Sequence, residues 1–160
     1  MDSEKLHKRM TAIYEREKRN DDYKGYNHKL FQDHIRYESA TYGPHPRNTY
    51  LLTVTEPFCN KVGALHGGCA TTLIDVTSTG LLIALSKPGQ FSRGGVSRAL
   101  NVKFVRPAPM GVEVRIVNEL VHMGKRLALV RSEIRRVDTG ALCVVGEHDK
   151  VNTDPEEGKL

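Results

Sequence analysis

The chain has 160 residues, 39% hydrophobic and 27% charged, so a single globular unit with a sizeable core is the default expectation. No stretch approaches the roughly 18 consecutive apolar residues of a membrane span, and the opening MDSEKLHKRM lacks the apolar core of a secretory signal and carries early acidic residues unlike a transit peptide. The net charge of +5 is concentrated in residues 93–136, where ten Lys/Arg meet three Asp/Glu; a basic half of this kind suits an anionic partner, either nucleic acid or a phosphate-bearing small molecule.

Residues 4–18 carry Leu6, Met10, Ile13 and Tyr14 on one helical face, with Ser3 placed to cap them. The polar Asn20-Asp21-Asp22 segment breaks that pattern, and a second short helix is expected over 28–35 with Leu30, Phe31 and Ile35 as its apolar residues. Residues 1–35 thus read as a helical appendage. Two strands, 36–42 and 48–56, flank the Gly43-Pro44-His45-Pro46 turn. From Cys69 to Ser86 the chain is almost uncharged and apolar nearly all round, which predicts a buried helix containing one charge, Asp75. Four β-like segments follow near 95–106, 112–122, 126–137 and 141–151, separated by turns with Pro and Gly punctuation. In the second, Val112, Val114, Ile116 and Leu120 alternate with Glu113, Arg115 and Glu119. One buried helix followed by a strand meander predicts an α+β fold, an antiparallel sheet wrapped around a central helix over 36–152 with a tail at 153–160.

A carboxylate in an apolar helix is costly unless it is paired, hydrogen-bonded or used, so Asp75 reads as a catalytic base or as a structural carboxylate paired with an arginine. Just upstream, His66-Gly67-Gly68 places two glycines at a helix start, where free N–H groups and the helix dipole suit an oxyanion; a tight strand-to-helix turn reads the same. Cys59, Cys69 and Cys143 form no Cys-x-x-Cys pair or disulfide framework and fit small buried hydrophobes in a reducing compartment. The seven histidines lack His-x-x-x-His spacing, so no metal site is expected.

The run Asn60-Lys61-Val62-Gly63-Ala64-Leu65-His66-Gly67-Gly68, followed by Asp75 in an apolar helix, resembles the hot-dog-fold thioesterases. The likeness is to the branch of the phenylacetate-pathway thioesterases and the animal thioesterase-superfamily acyl-CoA hydrolases. It continues through Gly95-Val96-Ser97, the NVKFVRP strand from Asn101 to Pro107, and Gly124-Lys125-Arg126-Leu127-Ala128, spanning roughly residues 48–151. The resemblance implies hydrolysis of an acyl-CoA to free acid and CoA, without a metal or redox cofactor. By the same resemblance Gly67 donates its N–H to the thioester oxygen and Asn60 holds that oxygen or the attacking water. His66 orients the loop or meets the sulfur side, Asp75 serves as general base or nucleophile, and Ser97 positions the water.

The site is implied to cross a homodimer interface, with dimers pairing into tetramers, and Gly68, Arg106, Lys125 and Arg126 are the implied contacts to CoA. Strict alternation puts Ser97 on the face opposite Leu100, Val102 and Phe104, so its role needs Ser97 to precede the regular strand or to sit at a bulge. A non-hydrolysing acyl-CoA sensor is the alternative, although residues 1–35 leave little room for a DNA-binding module. A hydratase lacks its Asp-x-x-x-x-His pattern here, and no nucleic-acid-binding motif or membrane partner is expected. The cytoplasm is the expected location, with a mitochondrial or peroxisomal one left open; the C-terminal Gly158-Lys159-Leu160 is only a loose echo of the peroxisomal Ser-Lys-Leu.

Overall fold

The computed structural model describes residues 1–20, 22–27 and 29–155, the side chains of residues 31 and 32 excepted. Asp21, the start of the expected second helix at His28, the Phe31 side chain, and the tail from 156 with its Gly158-Lys159-Leu160 end lie outside the described residues. Helix α1 (Ser3–Lys18) is capped by Asp2, whose carboxylate accepts from Lys5 N at 2.8 Å. The expected cap, Ser3, is already the first helical residue. Its hydroxyl instead accepts from Tyr42 N at 2.9 Å and lies 3.2 Å from Tyr42 O, tying the helix start to the end of the first strand. Leu6, Met10 and Tyr14 are buried, as their shared face requires.

The second helix reduces to one π-type turn, Leu30–His34, which ends as Ile35 turns extended; the Tyr14 hydroxyl donates to Ile35 O at 2.9 Å. Strands β1 (Arg36–Thr41) and β2 (Arg47–Thr53) form a hairpin. β2 stops short of the predicted 56 because Pro57 sits in a 3-10 turn, Glu56–Phe58, and has no N–H to give a ladder. Helix α2 (Gly67–Leu85) starts two residues earlier than Cys69, so both glycines are its first residues and not a turn before it.

β3 (Val96–Phe104), β4 (Glu113–Met123), β5 (Leu127–Arg136) and β6 (Leu142–Val151) complete one antiparallel sheet of order β1-β2-β4-β5-β6-β3. The sheet wraps around α2, which touches β2 through β6. Leu73, Ile74, Leu81 and Leu82 of the helix meet inward side chains such as Leu52, Val114, Ile116, Val130 and Ile134, all with no exposed surface. Burial at this scale contributes about 1.5–3 kcal/mol per side chain before the entropy of ordering is subtracted.

A polar row crosses the sheet beneath the helix. Asn48, Asn118, Ser132 and Gly146 face one another in register on β2, β4, β5 and β6. Asn118 donates to Asn48 Oδ1 at 2.7 Å and to Thr77 Oγ1 at 2.9 Å, Ser132 donates to Asn118 Oδ1 at 2.6 Å, and Asn48 donates to Thr77 O at 3.0 Å. The row ends at Gly146 because α2 comes too close for a side chain: a Cβ there would lie 2.8 Å from Cδ1 of Ile74.

Candidate active site

Helix α2 is not buried all round. Asp75, Val76, Thr79 and Ile83 form a half-buried face, and the Asp75 side chain keeps 45% of its surface exposed, so the charge escapes most of the desolvation cost its apolar helix suggests. Asp75 borders a pocket of about 320 Å³, walled by Ile13 of α1, by Val76, Gly80 and Ile83 of α2, and by Tyr50 and Lys150.

Ser97 reaches Asp75 because the register of β3 against β6 slips between Ser97 and Ala99. Of the two arrangements the sequence left open, Ser97 lies within the strand and at a bulge. Its hydroxyl lies 3.4 Å from Asp75 Oδ1. Two residues absent from the sequence-derived site complete the cluster, His148 and Lys150, both inward-facing on β6 and almost without exposed surface. The His148 ring sits between Ser78 Oγ, 2.7 Å from Nδ1, and Ser97 Oγ, 2.8 Å from Nε2, which is also 3.5 Å from Asp75 Oδ1. Lys150 donates to Thr79 Oγ1 at 2.7 Å, and Thr79 donates to Asp75 O at the same distance.

Burial, then the nearby Lys150 charge, pushes the His148 pKa down to about 4 against the pull of Asp75 and Asp149, so the ring is neutral at neutral pH. Burial also lowers Lys150, opposed by Asp75. The signal for both residues was present in the sequence: with Val144 and Gly146 inward, alternation puts His148 and Lys150 on the core face.

Asn60, His66, Gly67 and Gly68 gather at the N-terminus of α2. His66 caps the helix, its Nδ1 accepting from Gly68 N at 2.9 Å, while Gly67 N–H has no acceptor among the described residues. Asn60 Oδ1 accepts from Val62 N at 3.1 Å and Ala64 N at 3.2 Å, which fixes the amide orientation and leaves its Nδ2 donor without an acceptor among the described residues. Asn60, Gly67, Phe104 and Arg106 line a second pocket of about 410 Å³. Gly68 is exposed beside it.

These two clusters do not meet within one chain. Gly67 and Asp75 are eight residues apart on one helix, a rise of about 12 Å. The basic residues divide likewise. Arg106 N donates to Cys143 O at one end of β6, whereas Arg126 O accepts from Asn152 N at the other, about 30 Å away along the strand. Of the ten basic residues in 93–136, Arg98, Arg115, Arg131, Arg135 and Arg136 pair with carboxylates. Arg93, Lys103, Arg106, Lys125 and Arg126 have no ion pair among the described residues. Burial raises the Cys69 thiol to about 11 and also raises Cys143, away from the reactive thiolate form.

The fold is thus a sheet wrapped on a helix whose first N–H has no acceptor among the described residues and which carries, two turns on, a half-exposed carboxylate. A family model for the thioesterase superfamily matches residues 62–143, and the chain belongs to that superfamily of hot-dog-fold thioester hydrolases. It is 34% identical over 99 residues to acyl-coenzyme A thioesterase 13 of Mus musculus, covering 62% of this chain and 68% of that one. Among solved structures, mouse thioesterase superfamily member 2 is 27% identical with a TM-score of 0.69, covering 93% of this chain and 96% of the other. The zebrafish member 2 structure shares the fold at 24% identity and a TM-score of 0.77, covering 89% and 97%.

Proposed function

We propose that this chain is an acyl-CoA thioesterase that hydrolyses an acyl-CoA thioester to free acid and CoA, with a site completed by a second copy. The observation that carries this reading is the pairing of Asp75 with Ser97, while the Gly67 N–H donor stands two turns away on the same helix, with Asn60 beside it in the second pocket. In the proposed reaction Gly67 N–H and Asn60 Nδ2 of one copy receive the thioester oxygen. Asp75 of the other takes a proton from water held beside Ser97, and the water oxygen attacks the carbonyl carbon. Collapse of the tetrahedral intermediate breaks the C–S bond and releases CoA thiolate. His66 acts by holding Gly68 and hence the oxyanion turn in place.

The edge strand supports the two-copy reading. Among the described residues β3 has no strand on its outer side, and its Val96 and Phe104 are 54% and 60% exposed. Two-fold antiparallel pairing of β3 would set Phe104, and with it Gly67 and Arg106, against Val96 and Ser97 of the second copy. That pairing also brings Arg106 of one copy toward Lys125 and Arg126 of the other, a basic rim suited to the CoA phosphates alongside Gly68. Pairing of such dimers into tetramers belongs to the same proposal.

The test is thiol release from short-, long- and aromatic-chain acyl-CoAs by wild type and Asp75→Asn. Wild type is expected to turn over at least one member, and Asp75→Asn to lose at least about 100-fold in kcat with its size in solution unchanged. Binding of acyl-CoA without turnover across the panel would overturn the enzyme reading in favour of an acyl-CoA sensor.

A further inference from the structure

The geometry points to His148 as a positioning residue that fixes the direction of the Ser97 hydroxyl toward Asp75, through a one-way hydrogen-bond chain from Ser78. The inference rests on the thioesterase reading for its catalytic meaning. A carboxylate only accepts, so the Ser97 hydrogen, 3.4 Å from Asp75 Oδ1, points at it. With that hydrogen committed, Ser97 Oγ can only accept from the ring, 2.8 Å away, so His148 carries its proton on Nε2. Nδ1 is then a lone pair and takes the Ser78 hydroxyl hydrogen at 2.7 Å, in preference to the competing acceptor Asp75 O at 3.2 Å. The opposite polarity would turn the Ser97 hydrogen onto the ring and leave its lone pairs facing the carboxylate.

The surroundings keep the chain in one state. The groups facing the ring are Ser78 and Asp75 from α2, Ser97 from β3 and Lys150 from its own strand, while Asp149 acts on it by charge from the other face, where it pairs with Arg98. Burial and Lys150 hold the imidazole neutral, so a single tautomer carries the polarity. In this arrangement one Asp75 oxygen is engaged by Ser97, and the other is left for the proton of the attacking water. Ser97 itself is exposed, whereas His148 is fully buried and acts only through it.

Nitrogen-15 NMR of the wild-type imidazole at pH 7 reads the chain directly. A protonated Nε2 and a bare Nδ1 are expected, with Ser97→Ala shifting chiefly the Nε2 signal; the other tautomer, or an imidazolium, overturns the proposal. Kinetics read its consequence. His148→Ala is expected to lower kcat about tenfold with KM little changed, and to lower it less than about twofold when Ser97 is already Ala. A tenfold loss that persists on the Ser97→Ala background overturns the positioning role. Should His148→Ala fail to fold, Ser78→Ala removes only the donor to Nδ1. A kcat loss of about threefold that vanishes with Ser97→Ala is then expected, and no loss overturns the proposal. If wild type hydrolyses no thioester at all, the functional reading fails while the NMR result still decides the direction of the chain.

Discussion

Asn60 divides its side chain between structure and chemistry. Its oxygen holds the turn through Val62 N and Ala64 N, and its amide nitrogen stands free at the pocket. Asn60→Asp keeps the accepting oxygen and removes the donor. It is therefore expected to lower kcat/KM by about 100-fold with thermal stability within about 1 kcal/mol of wild type, as measured by steady-state thiol release and melting. An equal loss of stability and activity would show that the turn alone matters. His148 has a separate thermodynamic signature. Its folded pKa of about 4 lies below the ordinary value of 6.5, so between those limits the unfolded chain binds more protons. Its contribution is fully present above about pH 6.5 and is lost as pH falls toward 4, at most about 3 kcal/mol. Denaturant unfolding at pH 7 and pH 4.5 should show a steeper loss for wild type than for His148→Gln.

At the level of elements, α2 is placed by what it lies on. The polar row at Asn48, Asn118 and Ser132 satisfies Thr77 on the helix, and Gly146 removes the side chain that would lift the helix off β6. Because His148 and Lys150 continue the same strand face, the distance between α2 and β6 sets the His148–Ser97–Asp75 geometry. Gly146→Val is expected to cost about 1–3 kcal/mol by overpacking against Ile74. It should also depress kcat more than Gly146→Ala, whose single methyl meets the movable end of Ile74. Chemical denaturation and thiol release on the two variants check both parts. The bulge at Ser97 belongs to this scale too: one slipped residue reverses which face a side chain occupies.

The whole molecule presents a divided site and an open edge. Wild type is expected to sediment as a dimer or larger, through β3. Lysine at both Val96 and Phe104 charges that edge and should yield a folded monomer with thiol release reduced at least about 100-fold, read by sedimentation and circular dichroism. A fully active monomer would show that one chain suffices. The five basic residues without ion pairs among the described residues are split between the two ends of the sheet, and the proposed pairing of two chains would bring them together.

The order of elements was legible from periodicity and punctuation alone, because hydrophobic spacing and Gly or Pro positions act locally. The α2 helix, the strand meander after it, Asp75 and the Gly67-Gly68 helix start could all be marked on the chain, whereas Asn60 was marked only by the resemblance to the thioesterases. Sequence spacing misplaced what depends on one residue of register: the α1 cap, the start of α2 and the end of β2. It left undecided the sheet order that carries β3 past β4 to pair with β6, since strand partners are chosen by burial across long separations. Only the tertiary structure brings Ser78, Ser97 and His148 together, from α2, β3 and β6, because a hydrogen-bond chain across three elements leaves no periodic trace in the sequence.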